Sequence, residues 1–336
     1  MIGVAISGLG EVSKNHYRGV KSTKYGRLVG VYSHSVKRAI EVAREWGAKY
    51  YSSFNELVED PEVKVVIICS SDEHHYPQAL RAMEGGKHVL VEKPLSLEMR
   101  EVVHMAKVSM EKGVILMPVH NYIFRPKVQR AKALIESKEI GEPAYALFIV
   151  TQRMEEGVAR RYHGALFTQA YHSIYVSNYL LGIPIEIQAM WSRITYREIS
   201  SDEVFVATLK YRNGAIANIV ANWAADDISA TSWMWLDKIV GTKGVITISS
   251  FEDVIYSRES SFMMGMAVDY RESFVALARH FIDEVLVEGA TSVQTVYDAI
   301  LVHDIMDKMK ESAELGKRIR YKPPKLERLF KEYGFT

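Results

Sequence analysis

The sequence predicts an α/β domain with a parallel sheet over residues 1–120, followed by an α+β domain with a large, mostly antiparallel sheet over residues 121–336. Three observations lead there. The first 120 or so residues alternate short β-branched apolar runs with segments of helical period, the pattern of strand-helix-strand units. Beyond about residue 141 strands follow strands without intervening helices, which favours antiparallel pairing. A length of 336 residues, 48% hydrophobic and 25% charged, suits about two domains and supplies a large core.

In the first half the strands read as Ile2 to Ser7, Leu28 to Tyr32, Val63 to Ser70, His88 to Val91 and Val114 to Pro118. Helices begin near Val12, Val36, Phe54, His75 and Leu97, and Gly85-Gly86 ends the fourth, because glycine accepts the left-handed backbone of a helix stop. In the second half Pro143 to Gln152, Ile185 to Tyr196, Val204 to Tyr211, Ala215 to Asn222, Trp233 to Val240 and Val245 to Ile248 read as strands. Arg212-Asn213-Gly214 is a hairpin-type turn between two of them. Two long amphipathic segments, roughly Ser273 to Val287 and Val293 to Leu315, close the fold, with Gly316 as the stop of the second. Pro323-Pro324 opens a short basic tail to which the sequence gives no role.

Composition excludes several classes. Lys and Arg number 42 against 41 Asp and Glu, so no field of one sign draws the chain to nucleic acid or an anionic membrane. A small-molecule partner is expected instead. The single cysteine, Cys69, makes neither an internal disulfide nor a thiolate zinc site, and it points to a reducing, cytoplasmic compartment with no bound metal. No apolar run reaches a membrane span and the start lacks the basic residues of a signal peptide, so neither anchoring nor export is expected.

Directly after the first strand stands Gly8-Leu9-Gly10-Glu11-Val12-Ser13. In the dinucleotide fingerprint the first glycine allows the tight turn, and the second lets backbone approach a pyrophosphate lying on a helix N-terminus. Ser13 takes the place of the third small residue. The fold expected is therefore a Rossmann domain, with Gly8, Leu9, Gly10, Glu11 and Val12 against the phosphates. At the end of the second strand an acid normally holds the ribose diol of NAD. No acid occurs between Gly26 and Ile40; Ser33, His34, Lys37 and Arg38 stand there. Hydroxyls and cations suit a 2′-phosphate, so NADP is expected, with NAD as the alternative. The competing reading makes Ser35 a helix cap and Lys37 and Arg38 its solvated face.

The strand His88 to Val91 runs into Glu92-Lys93-Pro94-Leu95. A charged pair at the carboxyl end of a parallel strand lies at the edge where doubly wound sheets bind ligands. Taken together, Gly8-x-Gly10, His75 five residues past Ser70, and Gly86-Lys87-His88-Val89-Leu90-Val91-Glu92-Lys93-Pro94 resemble the Gfo/Idh/MocA family of sugar and polyol oxidoreductases. The resemblance covers nearly the whole chain, through Ser137 to Glu142, Gly164 to Gly182, Val240 to Gly244 and Ser312 to Gly316.

The resemblance implies a second motif, G-G-x-L-x-D-x-x-x-H-x-x-D, on a helix that faces the nicotinamide; Gly164 to Tyr175 matches it here. Thr168, His172 and Tyr175 share one face of that helix, among mostly apolar neighbours. Thr168 and Tyr175 stand where the family carries acids, and Ser71-Asp72 replaces its usual Pro-Asn. Removing a carboxylate beside His172 removes a group that would favour the imidazolium and accept a substrate hydroxyl.

Oxidising a secondary alcohol needs a base for the hydroxyl proton and a cation near the developing alkoxide. The resemblance assigns these to His172 and Lys93, converging on the nicotinamide from the two domains, with Glu92 placing Lys93 and the cofactor. A cis Lys93-Pro94 bond is one way of directing the lysine. Ser70, Ser71 and His75 are expected beside the nicotinamide ribose. Substrate contacts are expected from Asn121, Tyr122, Thr168 and the loop holding Arg160, Arg161, Tyr162 and His163, whose arginines suit a carboxylate or phosphate and suit a solvated surface equally.

A zinc alcohol dehydrogenase is excluded by the lone cysteine. A sugar-nucleotide dehydrogenase, a biliverdin-reductase-like enzyme, an NAD-dependent glycosidase and a nucleotide-sensing regulator without turnover stay open on the same fold. The strand alternates Val204, Val206, Thr208 and Lys210 against Phe205, Ala207 and Leu209, too many apolar positions on both faces for one to be fully solvated, which predicts a homodimer or homotetramer formed through the C-terminal sheet.

Overall fold

The computed structural model describes residues 1–160, 162–196, 198–224, 233–249, 254–258, 260–264 and 270–335. They fall into two compact units, one of Met1–Phe124, Asp269–Leu301 and Pro324–Thr336, the other of Arg125–Val268 and Val302–Pro323. Beyond the boundary near residue 120, the chain passes between the two units three more times, four crossings in all.

The first unit begins with β1 (Ile2–Ser7), α1 (Ser13–Ser22), β2 (Gly26–Tyr32), α2 (Val36–Trp46), β3 (Lys49–Tyr51), α3 (Phe54–Glu59), β4 (Val65–Ile68), α4 (Asp72–Glu84), β5 (His88–Val91), α5 (Met99–Lys112) and β6 (Leu116–Pro118). The sheet order is β3-β2-β1-β4-β5-β6, with every pair parallel. This is the doubly wound order, whose reversal between β1 and β4 opens a crevice at the strands' carboxyl ends. β3 is too short to give a periodic signal, and β4 stops before Cys69 because the chain there turns toward Gly8. Ser35 does cap α2, its Oγ accepting from Arg38 N.

The second unit carries α6 (Pro126–Glu136), β7 (Pro143–Gln152), α7 (Glu156–Ala159), a π-helical turn (Leu166–Ala170) running into α8 (Tyr171–Leu181), then β8 (Glu186–Ser192), β9 (Val204–Lys210), β10 (Ile216–Asn222), β11 (Trp233–Gly241), β12 (Val245–Ser249), β13 (Val254–Arg258) and β14 (Ser260–Met264). After α9 (Tyr270–Arg279), a π-helical stretch (His280–Val287) and α10 (Val296–Leu315), β15 (Ile319–Arg320) completes a sheet ordered β14-β13-β12-β11-β7-β10-β9-β8-β15. Among the described residues of this second sheet only β7 and β10 pair in parallel. One face is core: Phe148, Phe205, Ala207, Leu209 and Trp235 are buried. On the other face Met190, Val206, Val220, Ile149 and Leu236 stand side by side across β8, β9, β10, β7 and β11, and Met190 is 70% exposed.

The late segments of the first unit are fastened to its early helices. Asp283 accepts from the backbone N–H of Lys24 and Tyr25 at 2.9 and 3.0 Å, and α1 packs so closely on α9 that a Cβ on Gly19 would lie 2.8 Å from Phe274 O. The tail with no sequence-level role forms α11 (Leu326–Glu332). Its Leu329 is buried in the core cluster shared with α4 and α5, against which Phe330, Tyr333 and Phe335 also pack. Among the described residues no helix is long and apolar enough to cross a membrane.

Asp237 sits on the core face of β11, wholly buried, with neither carboxyl oxygen hydrogen-bonded. Burial pushes its pKa well above the usual carboxylate range, against the pull of Arg125 and Trp235. The folded state therefore keeps a proton that the unfolded chain releases above about pH 4, so this group lowers stability as pH rises. Asp237→Asn should gain more over wild type at pH 8 than at pH 5 in urea unfolding; an equal difference at both pH values contradicts this.

Candidate active site

A cleft of about 310 Å³ lies where the first sheet reverses, lined by the Gly8-Leu9-Gly10 turn, by Tyr32, Ser33 and His34 after β2, and by Cys69, Ser70 and Ser71 after β4, with Ser7 and Gln78 also on its wall. Gly8 has φ +89°, and a Cβ there would meet Ser70 N at 2.3 Å. Only glycine lets the turn pass so close to the end of β4. Gly10 differs: a Cβ there would meet nothing within 4 Å, the open approach that a pyrophosphate requires. The ten-residue α1 follows, with Ser13 buried and its Oγ donating to Gly10 O at 2.5 Å. The residues present thus fit a dinucleotide.

Ser7 Oγ and Ser70 Oγ both donate to Gln78 Oε1, at 2.7 and 3.2 Å, tying the ends of β1 and β4 together. Cys69 Sγ donates to Gly8 O, and burial holds this thiol well above its usual range, so it stays protonated. At the outer end Arg38 Nε donates to Leu9 O at 3.4 Å, Lys37 is exposed, and the His34 ring leans on His74 with centroids 4.4 Å apart. Glu11 points outward in an exposed pair with Lys14, so only its backbone is available to a phosphate, and Val12 caps α1 in helical backbone.

His75 is 1% exposed, and its ring nitrogens lie 2.7 Å from Pro94 O and 3.1 Å from Ser70 O. It joins the segments after β4 and β5 behind the cleft wall. The Lys93-Pro94 peptide is cis. Glu92 receives His16 Nε2 at 2.9 Å on one oxygen and the Lys93 backbone N–H at 3.2 Å on the other. This clamp leaves the half-buried Lys93 Nζ with no hydrogen-bond or ion-pair partner among the described residues. Burial lowers the Lys93 pKa, opposed by Glu92 and Asp72.

Asn121 and Tyr122, expected on the substrate side, are both buried. Asn121 Nδ2 donates to Ser273 Oγ at 3.0 Å and Tyr122 lies edge-on to Tyr270, so they fasten the turn after β6 to α9.

In the second unit, the π-helical turn before α8 is anchored by Asp202, whose Oδ2 accepts from Leu166 N at 2.8 Å. Burial raises the Asp202 pKa. The Thr168 hydroxyl donates to Gly164 O at 2.9 Å and accepts from Trp223 Nε1 at 3.0 Å, so it secures the helix start. His172 Nδ1 lies 2.7 Å from Tyr175 OH. Arg161 lies outside the described residues.

Sequence reasoning missed His16, Gln78 and the bond between His172 and Tyr175. His16 and Gln78 are polar groups on buried helix faces, a signal that could have singled them out. Their partners Glu92 and Ser7 are 76 and 71 residues away, beyond any local pattern.

A glycine turn, a crevice at the sheet's reversal and a clamped lysine define a dinucleotide-binding oxidoreductase. Residues 2–120 match the family model described as an oxidoreductase family with an NAD-binding Rossmann fold, and residues 128–247 match that of the GFO/IDH/MocA C-terminal domain. The chain belongs to the Gfo/Idh/MocA family. It is 28% identical over 88% of its length to 90% of a scyllo-inositol 2-dehydrogenase (NAD(+)) from Bacillus subtilis. It is 25% identical over 84% of its length to 87% of a myo-inositol 2-dehydrogenase from Thermotoga maritima. A levoglucosan dehydrogenase solved with NADH and levoglucosan shares the fold, with TM-score 0.87 and 22% identity over 96% of this chain and all of that one (100%).

The two glycines separate structural from ligand-facing roles. Gly8→Ala should lower Tm, whereas Gly10→Ala should leave Tm unchanged and weaken dinucleotide binding by about tenfold or more, the cost of blocking one backbone approach. Equal effects of the two on Tm contradict the assignment.

Proposed function

We propose that this chain is an NADP(H)-dependent dehydrogenase acting on a CH–OH centre of a polyol, an aldose or a related acid, with Lys93 and His172 as its catalytic residues. The observation that carries the reading is Lys93: a backbone clamped by Glu92 and an Nζ that no other described residue occupies, at the carboxyl end of a strand beside the reversal of the sheet. The inositol dehydrogenases among the relatives support the substrate class.

When bound, the nicotinamide accepts hydride from the carbinol carbon, or returns it in the reverse direction. His172 takes the hydroxyl proton, and the Lys93 ammonium donates a hydrogen bond to the oxygen as negative charge develops on it. In reduction His172 returns the proton. Ser70 and Ser71 on the cleft wall hold the cofactor's ribose, and Gly8 to Val12 its phosphates. NADP is preferred over NAD because Ser33, His34, Lys37 and Arg38 present hydroxyl and cationic groups and no carboxylate. Arg160 makes an exposed ion pair with Glu156; Arg161 is kept as a substrate contact on the resemblance alone. A lone buried thiol fits the cytoplasm.

The apolar row from Met190 to Leu236 supports a sheet-to-sheet homodimer or homotetramer. Light scattering should give two or four chains, and a monomer contradicts this. For the reaction, polyols, aldoses and sugar acids are screened with NADP and NAD. Wild type should turn over at least one with NADP ahead of NAD, and Lys93→Ala should lower kcat by about 100-fold or more. Equal turnover by both overturns the lysine's role; tight NADP binding by both without turnover favours a regulator.

A further inference from the structure

We propose that Tyr175 is a positioning residue that sets the tautomer of His172, accepting a hydrogen bond from Nδ1–H so that Nε2 is the basic nitrogen. The inference rests on reading His172 as the base and deepens it. The two side chains lie one turn apart on α8, with Tyr175 OH 2.7 Å from His172 Nδ1. Both are buried, at 3% and 8% exposure, and their rings meet edge-on at 5.5 Å. The start of their helix is held by Asp202 on Leu166 N and by Trp223 on Thr168.

A neutral imidazole carries one proton, and the nitrogen that holds it is decided by the partner of that ring position. A phenolic hydroxyl can both donate and accept, and the proposal gives it the accepting role toward Nδ1–H. With Nδ1–H bonded to Tyr175, the substrate hydroxyl proton goes to Nε2 as hydride leaves, giving an imidazolium whose Nδ1 proton has not moved. In reduction Nε2 gives its proton to the carbonyl oxygen as hydride arrives, and the starting tautomer is restored. A carboxylate at position 175 would also hold Nδ1–H, but its charge would favour the imidazolium. Tyrosine orients the ring without that charge.

The test is ¹⁵N NMR of histidine-labelled protein at neutral pH without substrate, the His172 signals being assigned with His172→Gln. Wild type should show a protonated Nδ1 and an unprotonated Nε2. Tyr175→Phe should move the proton toward Nε2 and lower kcat by up to about 100-fold with KM little changed. An Nε2–H tautomer in wild type overturns the inference, as does one unchanged in Tyr175→Phe; if the variant does not fold, the wild-type tautomer decides. If His172→Gln turns over substrate normally while Tyr175→Phe still shifts the proton, the base assignment fails and the positioning role stands.

Discussion

The first unit is organised by the passage of Gly8 against the backbone of Cys69 and Ser70, a gap too narrow for any Cβ. That approach is what lets the turn after β1 and the segment after β4 share one cleft. Gln78 holds the two strand ends from behind through Ser7 and Ser70, and Cys69 donates to the carbonyl of Gly8 itself. The cleft's geometry is thus set by backbone and small polar groups, and side chains at its outer end are free to choose the ligand.

A second set of contacts transmits this order to the lysine. His75 joins Ser70 to Pro94, while Glu92 joins His16 to the Lys93 backbone. α1, which begins on the phosphate turn, supplies His16, and α9 sets the Phe274 ring nearly perpendicular to that imidazole, with centroids 5.0 Å apart. Charge and burial act in opposite senses on Lys93: burial lowers its pKa, and Glu92 and Asp72 raise it. Among the described residues Nζ sits near carboxylates without being bonded to one, the arrangement that the proposed role of donor to a substrate oxygen requires.

Much of this was legible in the chain itself. Strand and helix alternation gave the parallel sheet, and Val204 to Lys210 gave a strand with one buried face and an outer face that mixes Val204 and Val206 with Thr208 and Lys210. The glycine turn marked the crevice because its chemistry is local. The return of α9 and α11 to the first unit was not legible, since it depends on contacts such as Asp283 with Lys24 and Leu329 with the α4 and α5 core. The structural contacts of Asn121, Thr168 and His75 were hidden for a related reason: each is a polar residue in a functional motif, and its partners, Ser273, Trp223 and the carbonyls of Pro94 and Ser70, are not marked by any local pattern.

The proposed action of Lys93 and His172 on one oxygen can be seen in a crystal structure of the protein with NADP and a non-reacting polyol or sugar acid. Lys93 Nζ and His172 Nε2 should each lie within about 3.2 Å of the same ligand oxygen, with its carbon facing nicotinamide C4. A ligand bound in the cleft with either group turned away from that oxygen, and no water linking them, would contradict it.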